Sequence, residues 1–250
     1  MKQQTCSGCR DGEAVDFPFA MAFQPIVDIR TREPFAYEAL VRGGDGEGAN
    51  TVLSRITPAN QYAFDQSCRV KAIEGAVAAG ILRTNAKLSI NFFPNAVYSP
   101  VACIQLTLKT AAALNFPTER LIFEFTENEE MSDPQHVAGI VAAYAGMGFG
   151  TALDDFGAGY AGLGLLARFQ PQYIKIDMAL IRGIDASQPK QVIVSGIVKI
   201  AEELGIAVIA EGIETSAELG VLKATGIHFI QGYLFAKPKF KGLPEISWPA

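Results

Sequence analysis

The sequence predicts an α/β fold, a (β/α)₈ TIM-like barrel whose first strand runs antiparallel. Three observations lead there. From the third apolar run onward, strand-like and helix-like patterns alternate, which is the signature of a parallel sheet. Seven short runs close in acidic or amide residues: Tyr37-Glu38-Ala39-Leu40, Ser89-Ile90-Asn91, Phe123-Glu124-Phe125-Thr126-Glu127, Leu153-Asp154-Asp155, Lys175-Ile176-Asp177, Ile209-Ala210-Glu211 and Phe229-Ile230-Gln231. Strand ends from so many segments can meet only around a common axis, at the C-terminal mouth of a closed barrel. Between the first two runs lie only the residues Asp28 to Pro34. A parallel crossover takes a dozen or more residues, so these two strands form an antiparallel hairpin.

Eight strands are expected, near 20–27, 35–41, 87–92, 121–125, 149–153, 172–176, 206–210 and 228–232. Pro25 lies inside the first and predicts an irregular ladder there. Helical patterns fall near 58–79, 96–115, 134–146, 159–168, 188–204 and 215–225. The first of these has Thr57 as N-cap, Pro58 at its first position and Gly80 just past its end. The helix over 188–204 carries Val192, Ile193, Ile197, Ile200 and Leu204 before the stop at Gly205. Thr215 suits the N-cap of the last helix. The stretch Gly43 to Gly48 reads as a mobile connection beside the mouth. It lacks the lysine and hydroxyl of a P-loop and the spacing of a dinucleotide fingerprint.

The chain of 250 residues suits one large domain, 19–250, behind a flexible leader, 1–18. Its 49% hydrophobic content argues against disorder. No apolar run is long enough for a membrane span, and the polar start is no signal peptide, so a cytoplasmic location is expected. With a net charge of −5, long nucleic acid is an unsuitable partner. Cys68 and Cys103 sit in apolar helical patterns and read as core. Cys6-x-x-Cys9 is half of a zinc pattern or a redox pair, and the histidines needed to complete a zinc site, His136 and His228, are far off in sequence.

Carboxylates gathered at one mouth repel unless cations or a lysine balance them. The motifs around them are specific. Glu38-Ala39-Leu40-Val41-Arg42, Asp154-Asp155-Phe156-Gly157-Ala158-Gly159-Tyr160, Lys175-Ile176-Asp177, Ala210-Glu211-Gly212-Ile213-Glu214 and Gln231-Gly232-Tyr233 occur in that order. Together they resemble the EAL domain family, the cyclic-di-GMP phosphodiesterases, over residues 20 to 240. A single Glu-Ala-Leu would carry nothing; five ordered motifs with Asn91 and Glu124 between them do.

The resemblance implies a barrel with an antiparallel first strand and metal-dependent hydrolysis of cyclic di-GMP to linear pGpG. It implies two ions, Mg²⁺ or Mn²⁺. Glu38, Asn91, Glu124 and Asp154 would hold the first. Asp154 would bridge to the second, beside Asp155, with Glu211 and Gln231 holding that ion directly or through water. Lys175 would orient or deprotonate the attacking water, and Lys175, Glu38, Glu127 and Glu211 form the implied catalytic set. Glu127 and Glu214 would fix the loop after Asp155. Gln24, Leu40 and Arg42 fall at substrate-contacting positions, Arg42 with its fork toward a phosphate. All-oxygen donors favour Mg²⁺ or Mn²⁺ over zinc, and a shared carboxylate suits two-metal phosphoester cleavage.

Each residue alone has a plainer reading. Asp154-Asp155 could cap a helix, Lys175 could pair with Asp177, and Glu211 and Glu214 could cap the next helix. Two departures from the common family pattern, Asn91-Phe92-Phe93-Pro94 and Tyr160-Ala161-Gly162-Leu163, resemble a branch that includes blue-light-regulated members. The family often forms homodimers through the helix after Asp154-Asp155, where this chain has the apolar run Ala161 to Leu166. The rival to an enzyme is a receptor module that binds cyclic di-GMP without cleaving it. Such modules commonly lack a ligand or the lysine, and this chain keeps them.

Overall fold

The computed structural model describes residues 14–126, 134–159 and 162–249. Strands β1 (Phe19–Asp28) and β2 (Glu33–Gly43) form the expected antiparallel hairpin, with a register shift at Ile26/Val27, one residue beyond Pro25. Six parallel additions follow: β3 (Lys87–Asn91), β4 (Leu121–Thr126), β5 (Gly150–Phe156), β6 (Tyr173–Ile176), β7 (Ala207–Ala210) and β8 (Phe229–Gln231). β8 then pairs antiparallel with β1 and closes the barrel. The hairpin is antiparallel because its short connection forces the chain to turn back. A ninth strand, β9 (Lys239–Phe240), extends β1 outside the eight and was not expected from the sequence.

The helices are α1 (Ala49–Leu53), α2 (Gln61–Ala78), α3 (Pro100–Cys103), α4 (Gln105–Ala113), α5 (Pro134–Gly146), α6 (Gly162–Leu166), α7 (Met178–Ile181), α8 (Gln188–Glu203) and α9 (Ser216–Ala224). Two boundaries correct the sequence expectation. α2 starts at Gln61, not Pro58. Thr57 N–H donates to Asn60 Oδ1 (2.8 Å) and Asn60 N–H to Thr57 Oγ1 (3.4 Å), a reciprocal turn that spends the cap before the helix begins. The helix expected over 96–115 is broken. Pro100 has no N–H to give and opens α3 at its first position behind Ser99, which accepts from Ala102 N–H at 3.5 Å. Gly80 (φ +94°) and Gly205 (φ +70°) stop their helices in the left-handed region as expected. Thr215 and Glu218 form a capping box at the start of α9.

Two cores result from the period-two alternation of the strands. Between barrel and helices lies the large apolar core, which includes Cys68 and Cys103. Inside the barrel a small plug of Ile26, Ala36, Ile122, Ala152 and Ile209 packs with Phe35, Tyr173 and Phe229. Two residues further along β2 and β4 to β8 the same inward row turns polar, and that step positions the site. Of the apolar run after Asp155, Leu165 and Leu166 are buried, while Leu163 is 59% exposed. Among the described residues no helix is long and apolar enough to cross a membrane.

Candidate active site at the barrel mouth

The inward row supplies a polar residue above six of the plug residues. Glu38 follows Ala36, Glu124 follows Ile122, Asp154 follows Ala152, Lys175 follows Tyr173, Glu211 follows Ile209 and Gln231 follows Phe229, each two positions on. The ladders align these ends. Glu38 pairs with Ser89, and Asn91 with Glu124. The apolar plug beneath them bars water from the barrel's far end, so the polar layer sits between a dry floor and an open mouth.

Lys175 is buried at the centre. Its Nζ lies 2.7 Å from Glu211 Oε1, 2.9 Å from Glu124 Oε2, 3.0 Å from Asp154 Oδ1 and 3.4 Å from Glu38 Oε2. Its pairing is therefore with these four carboxylates. Asp177 instead caps α7, accepting from Ala179 N–H at 2.8 Å. Glu38 accepts from Asn91 Nδ2 at 3.0 Å and from Gln231 Nε2 at 2.7 Å. Gln231 Nε2 also reaches Gln24 Oε1 at 3.4 Å, and Gln24 Nε2 donates to Ala236 O at 3.2 Å. Ser89 donates its hydroxyl to Glu124. The sequence reading missed Ser89, although its place two residues before Asn91 on the same strand face marks it.

One ammonium cannot balance four carboxylates, and the proton affinities show it. Burial pushes Glu124 up to about 8 against the pull of Lys175, with Glu38 and Asp154 adding repulsion. Burial likewise raises Asp154 and lifts Glu211 well above the usual carboxylate range. Asp155 is raised to about 6, by burial and then by the charges of Asp154 and Asp177. Glu38 alone moves down: burial opposes this, but Lys175, Gln231 and Asn91 outweigh it. Lys175 resists its own burial because Asp154, Glu124, Glu211 and Glu38 surround it, and its proton is held well above the usual lysine range.

The donors fall into two groups that share a member. Oxygens of Glu38, Glu124 and Asp154 lie within 4.8 Å of one another, and so do oxygens of Asp154, Asp155 and Glu211. Asp155 reaches its group because it adopts φ +55° at a register break between Leu153 and Phe156, with Gly157 (φ +94°) following. Asp tolerates this region better than most residues. Gln231 Oε1 is buried and accepts no hydrogen bond among the described residues. Among the described residues Asp154 Oδ1 has the ion contact to Lys175 and no hydrogen bond. Orphaned buried oxygens beside clustered carboxylates are what hard cations such as Mg²⁺ and Mn²⁺ satisfy, so the residues fit such ions.

A cavity of about 250 Å³ opens over this layer, lined by Gln24, Glu38, Asp155 and Glu211 and rimmed by Met178, Arg182 and Tyr233. Leu40 and Arg42 line a different, mostly apolar cavity of about 410 Å³ between β2, β3 and α2. The two meet where Asn91 of the second bonds Glu38 of the first. Arg42 turns its Nη1 onto Val41 O at 2.7 Å. Glu214 pairs with Arg182 (2.7 Å) at the rim, not with the loop after Asp155 among the described residues. Glu218, unremarked in the sequence reading, accepts from Gly183, Glu214 and Thr215 N–H and so ties the loops after β6 and β7 together. Its signal was the capping-box spacing from Thr215. Glu127, Cys6 and Cys9 lie outside the described residues.

Known proteins resemble this chain over most of its length. Residues 16–238 match the EAL domain family. A standalone versatile EAL protein from Vibrio cholerae O395, solved in its c-di-GMP-bound form, is 51% identical with a TM-score of 0.90, over 94% of this chain and 98% of that one. Klebsiella pneumoniae BlrP1, solved as a manganese/c-di-GMP complex, is 33% identical with a TM-score of 0.87, over 96% of this chain and 61% of that one. The blue light- and temperature-regulated antirepressor BluF of Escherichia coli is 35% identical over 91% of this chain. The probable cyclic di-GMP phosphodiesterase PdeN of Escherichia coli is 28% identical over 88%. The chain spans 56% of BluF's length and 43% of PdeN's.

Proposed function

Because the chain belongs to the EAL domain family, we propose that it hydrolyses cyclic di-GMP to linear pGpG with two divalent ions, Mg²⁺ or Mn²⁺. The observation that carries the reading is the sharing of Asp154 between two carboxylate groups that converge on one lysine. Glu38, Asn91, Glu124 and Asp154 would hold one ion; Asp154, Asp155, Glu211 and Gln231 would hold the other. Asn91 now offers its amide nitrogen to Glu38, so as a ligand it turns its amide oxygen inward. The ions, when bound, supply Lewis-acid polarisation of the phosphodiester and acidification of the attacking water.

The chain's own side chains do the rest. Lys175 keeps its proton and aims Nζ into the middle of the mouth, where it offers a donor and a positive charge to a water or a phosphate oxygen. Ser89 holds Glu124 from behind, and Gln24 holds Gln231, so the donor ring is set before substrate arrives. Arg42, in the neighbouring cavity, is free to swing from Val41 O to a phosphate, where a forked contact is strong.

Chromatography of products after incubation with cyclic di-GMP and Mn²⁺ or Mg²⁺ tests the reading. The expected product is pGpG. Saturable binding of cyclic di-GMP without pGpG would overturn hydrolysis in favour of the receptor reading.

A further inference from the structure

Outside the donor ring, one buried charged group has no part in the chemistry above and yet touches the frame of the site. Asp65 and Arg69 lie one turn apart on α2, both fully buried and paired with each other. Arg69 Nη1 also donates to Tyr144 OH at 3.3 Å, and its guanidinium lies over the rings of Phe92 and Phe123. A buried ion pair is rarely the most stabilising filling for such a place, since apolar side chains of similar volume often serve as well or better. Its second contact explains why a carboxylate is there. Asp65 Oδ1 accepts the backbone N–H of Phe93 at 3.0 Å.

Phe93 stands two residues after Asn91, in the turn that leaves β3 before Pro94. That turn needs a tether. Asn91, Phe92 and Phe93 border the 410 Å³ cavity, so packing on that side is incomplete, with the Phe64 ring 6.3 Å from that of Phe93. On the other side Phe92 N–H donates to Glu124 O at 2.9 Å, inside the sheet. The Asp65 carboxylate thus provides a hydrogen-bond anchor between α2 and the cavity side of the turn.

We propose that Asp65 is a positioning residue: through the Phe93 N–H it fixes the turn that aims Asn91 at the metal donor ring, and Arg69 is present to keep that carboxylate charged and oriented. The role rests on the functional reading above, because it is through Asn91 that Asp65 acts. Residues that hold a ligand's support in this way commonly change metal affinity by about 10–100-fold when lost.

Two double variants of the full chain separate the tether from the ion pair. Asp65→Asn with Arg69→Met removes both charges but keeps an acceptor for Phe93 N–H. Asp65→Leu with Arg69→Met removes the acceptor as well. Mn²⁺ affinity is read by titration calorimetry, and thermal midpoints are read alongside. The double variant carrying Asp65→Leu is expected to bind Mn²⁺ at least ~10-fold more weakly than the parent, and the one carrying Asp65→Asn to recover to within about threefold. Equal affinity in all three proteins, or an equal loss in both variants, would overturn the proposal. Amide hydrogen exchange of Phe93 in the unaltered chain covers the case where the Asp65→Leu double variant does not fold. A protected Phe93 amide that stays protected in the Asp65→Asn double variant supports the tether, and exchange at the rate of an exposed loop sinks it. A parent chain that binds no Mn²⁺ overturns the functional reading first, and the positioning role with it.

Discussion

Lys175 shows how much one side chain can decide. It meets four carboxylates within 3.4 Å, yet they exceed its charge, so the donor ring asks for further cations. Lys175→Ala should leave much of the Mn²⁺ and cyclic di-GMP binding while turnover falls by ~10²-fold or more, as for loss of a preorganised donor at the reacting group. Asp154→Asn should remove Mn²⁺ binding and turnover together, because Asp154 belongs to both donor groups. Calorimetry and product chromatography on the two variants check the split; turnover unchanged in Lys175→Ala would remove the lysine from the chemistry. The same charge imbalance sets a pH dependence in chelator. Glu124, Asp155, Asp154 and Glu211 all have raised proton affinity in the fold, so each favours folding when protonated. A raised carboxylate contributes stability below its unfolded value that is lost as pH climbs through its folded value. For Asp155 that window runs from 3.8 to about 6, and for Glu124 from 4.5 to about 8. Glu38 works the other way and is outnumbered. Melting in EDTA should therefore fall between pH 5 and pH 8, and added Mn²⁺ should restore the loss most at pH 8. A melting temperature that rises with pH in EDTA would contradict the burial of uncompensated carboxylates. At this scale the motif residues were legible because their chemistry is unusual at strand ends. Asp65 was not, because a buried acid on a helix looks in sequence like any surface acid until its partners are known.

At the scale of elements, local chemistry sets what sequence patterns reveal. The hairpin was legible from the few residues between its strands, since chain length leaves no alternative. The start of α2 was not, because Thr57 and Asn60 compete for the same cap and their mutual hydrogen bonds show only in three dimensions. Pro100 breaks the helix expected over 96–115, because a proline without an N–H overrides apolar spacing. Strand β9, two residues long, carries no periodic signal at all. The tightest element contact at the site is at Gly232, just after β8. A Cβ there would stand 2.1 Å from Ile213 O and 2.4 Å from Ile213 N, both backbone atoms that cannot yield as a side chain can. Gly232→Ala should push β8 from the loop after β7 and displace both Gln231 and Glu211. A loss of about 2 kcal/mol or more in denaturant unfolding, typical of forced overpacking, with at least a tenfold fall in turnover is the expected result. A variant as stable and active as the parent would refute a close approach of Gly232 to the Ile213 backbone.

The whole molecule turns these pieces into a ring of donors on a rigid frame. Seven strands each deliver a polar side chain to one layer above an apolar plug, so the donors cannot move independently of the barrel. Such a frame should discriminate between ions by size and preferred geometry. Mg²⁺ holds near-octahedral oxygen shells at about 2.0–2.1 Å, whereas Ca²⁺ accepts about 6–8 oxygens at about 2.3–2.6 Å in looser arrangements. Asn91, Gln231 and the carboxylates are all oxygen donors, so Ca²⁺ should enter the ring and support cyclic di-GMP binding. It should do so without the short contacts that polarise a phosphodiester and acidify water. With Ca²⁺ as the sole divalent ion, cyclic di-GMP affinity is expected within a few-fold of that with Mn²⁺, while pGpG formation falls at least ~10-fold. Binding by calorimetry and product by chromatography, on one preparation stripped of metal and reloaded, compare the two ions directly. Equal turnover with Ca²⁺ and Mn²⁺ would contradict the requirement for short, near-octahedral contacts and speak against the two-metal mechanism. Loss of binding with Ca²⁺ would instead show that the barrel sets donor spacing more rigidly than oxygen chemistry alone requires.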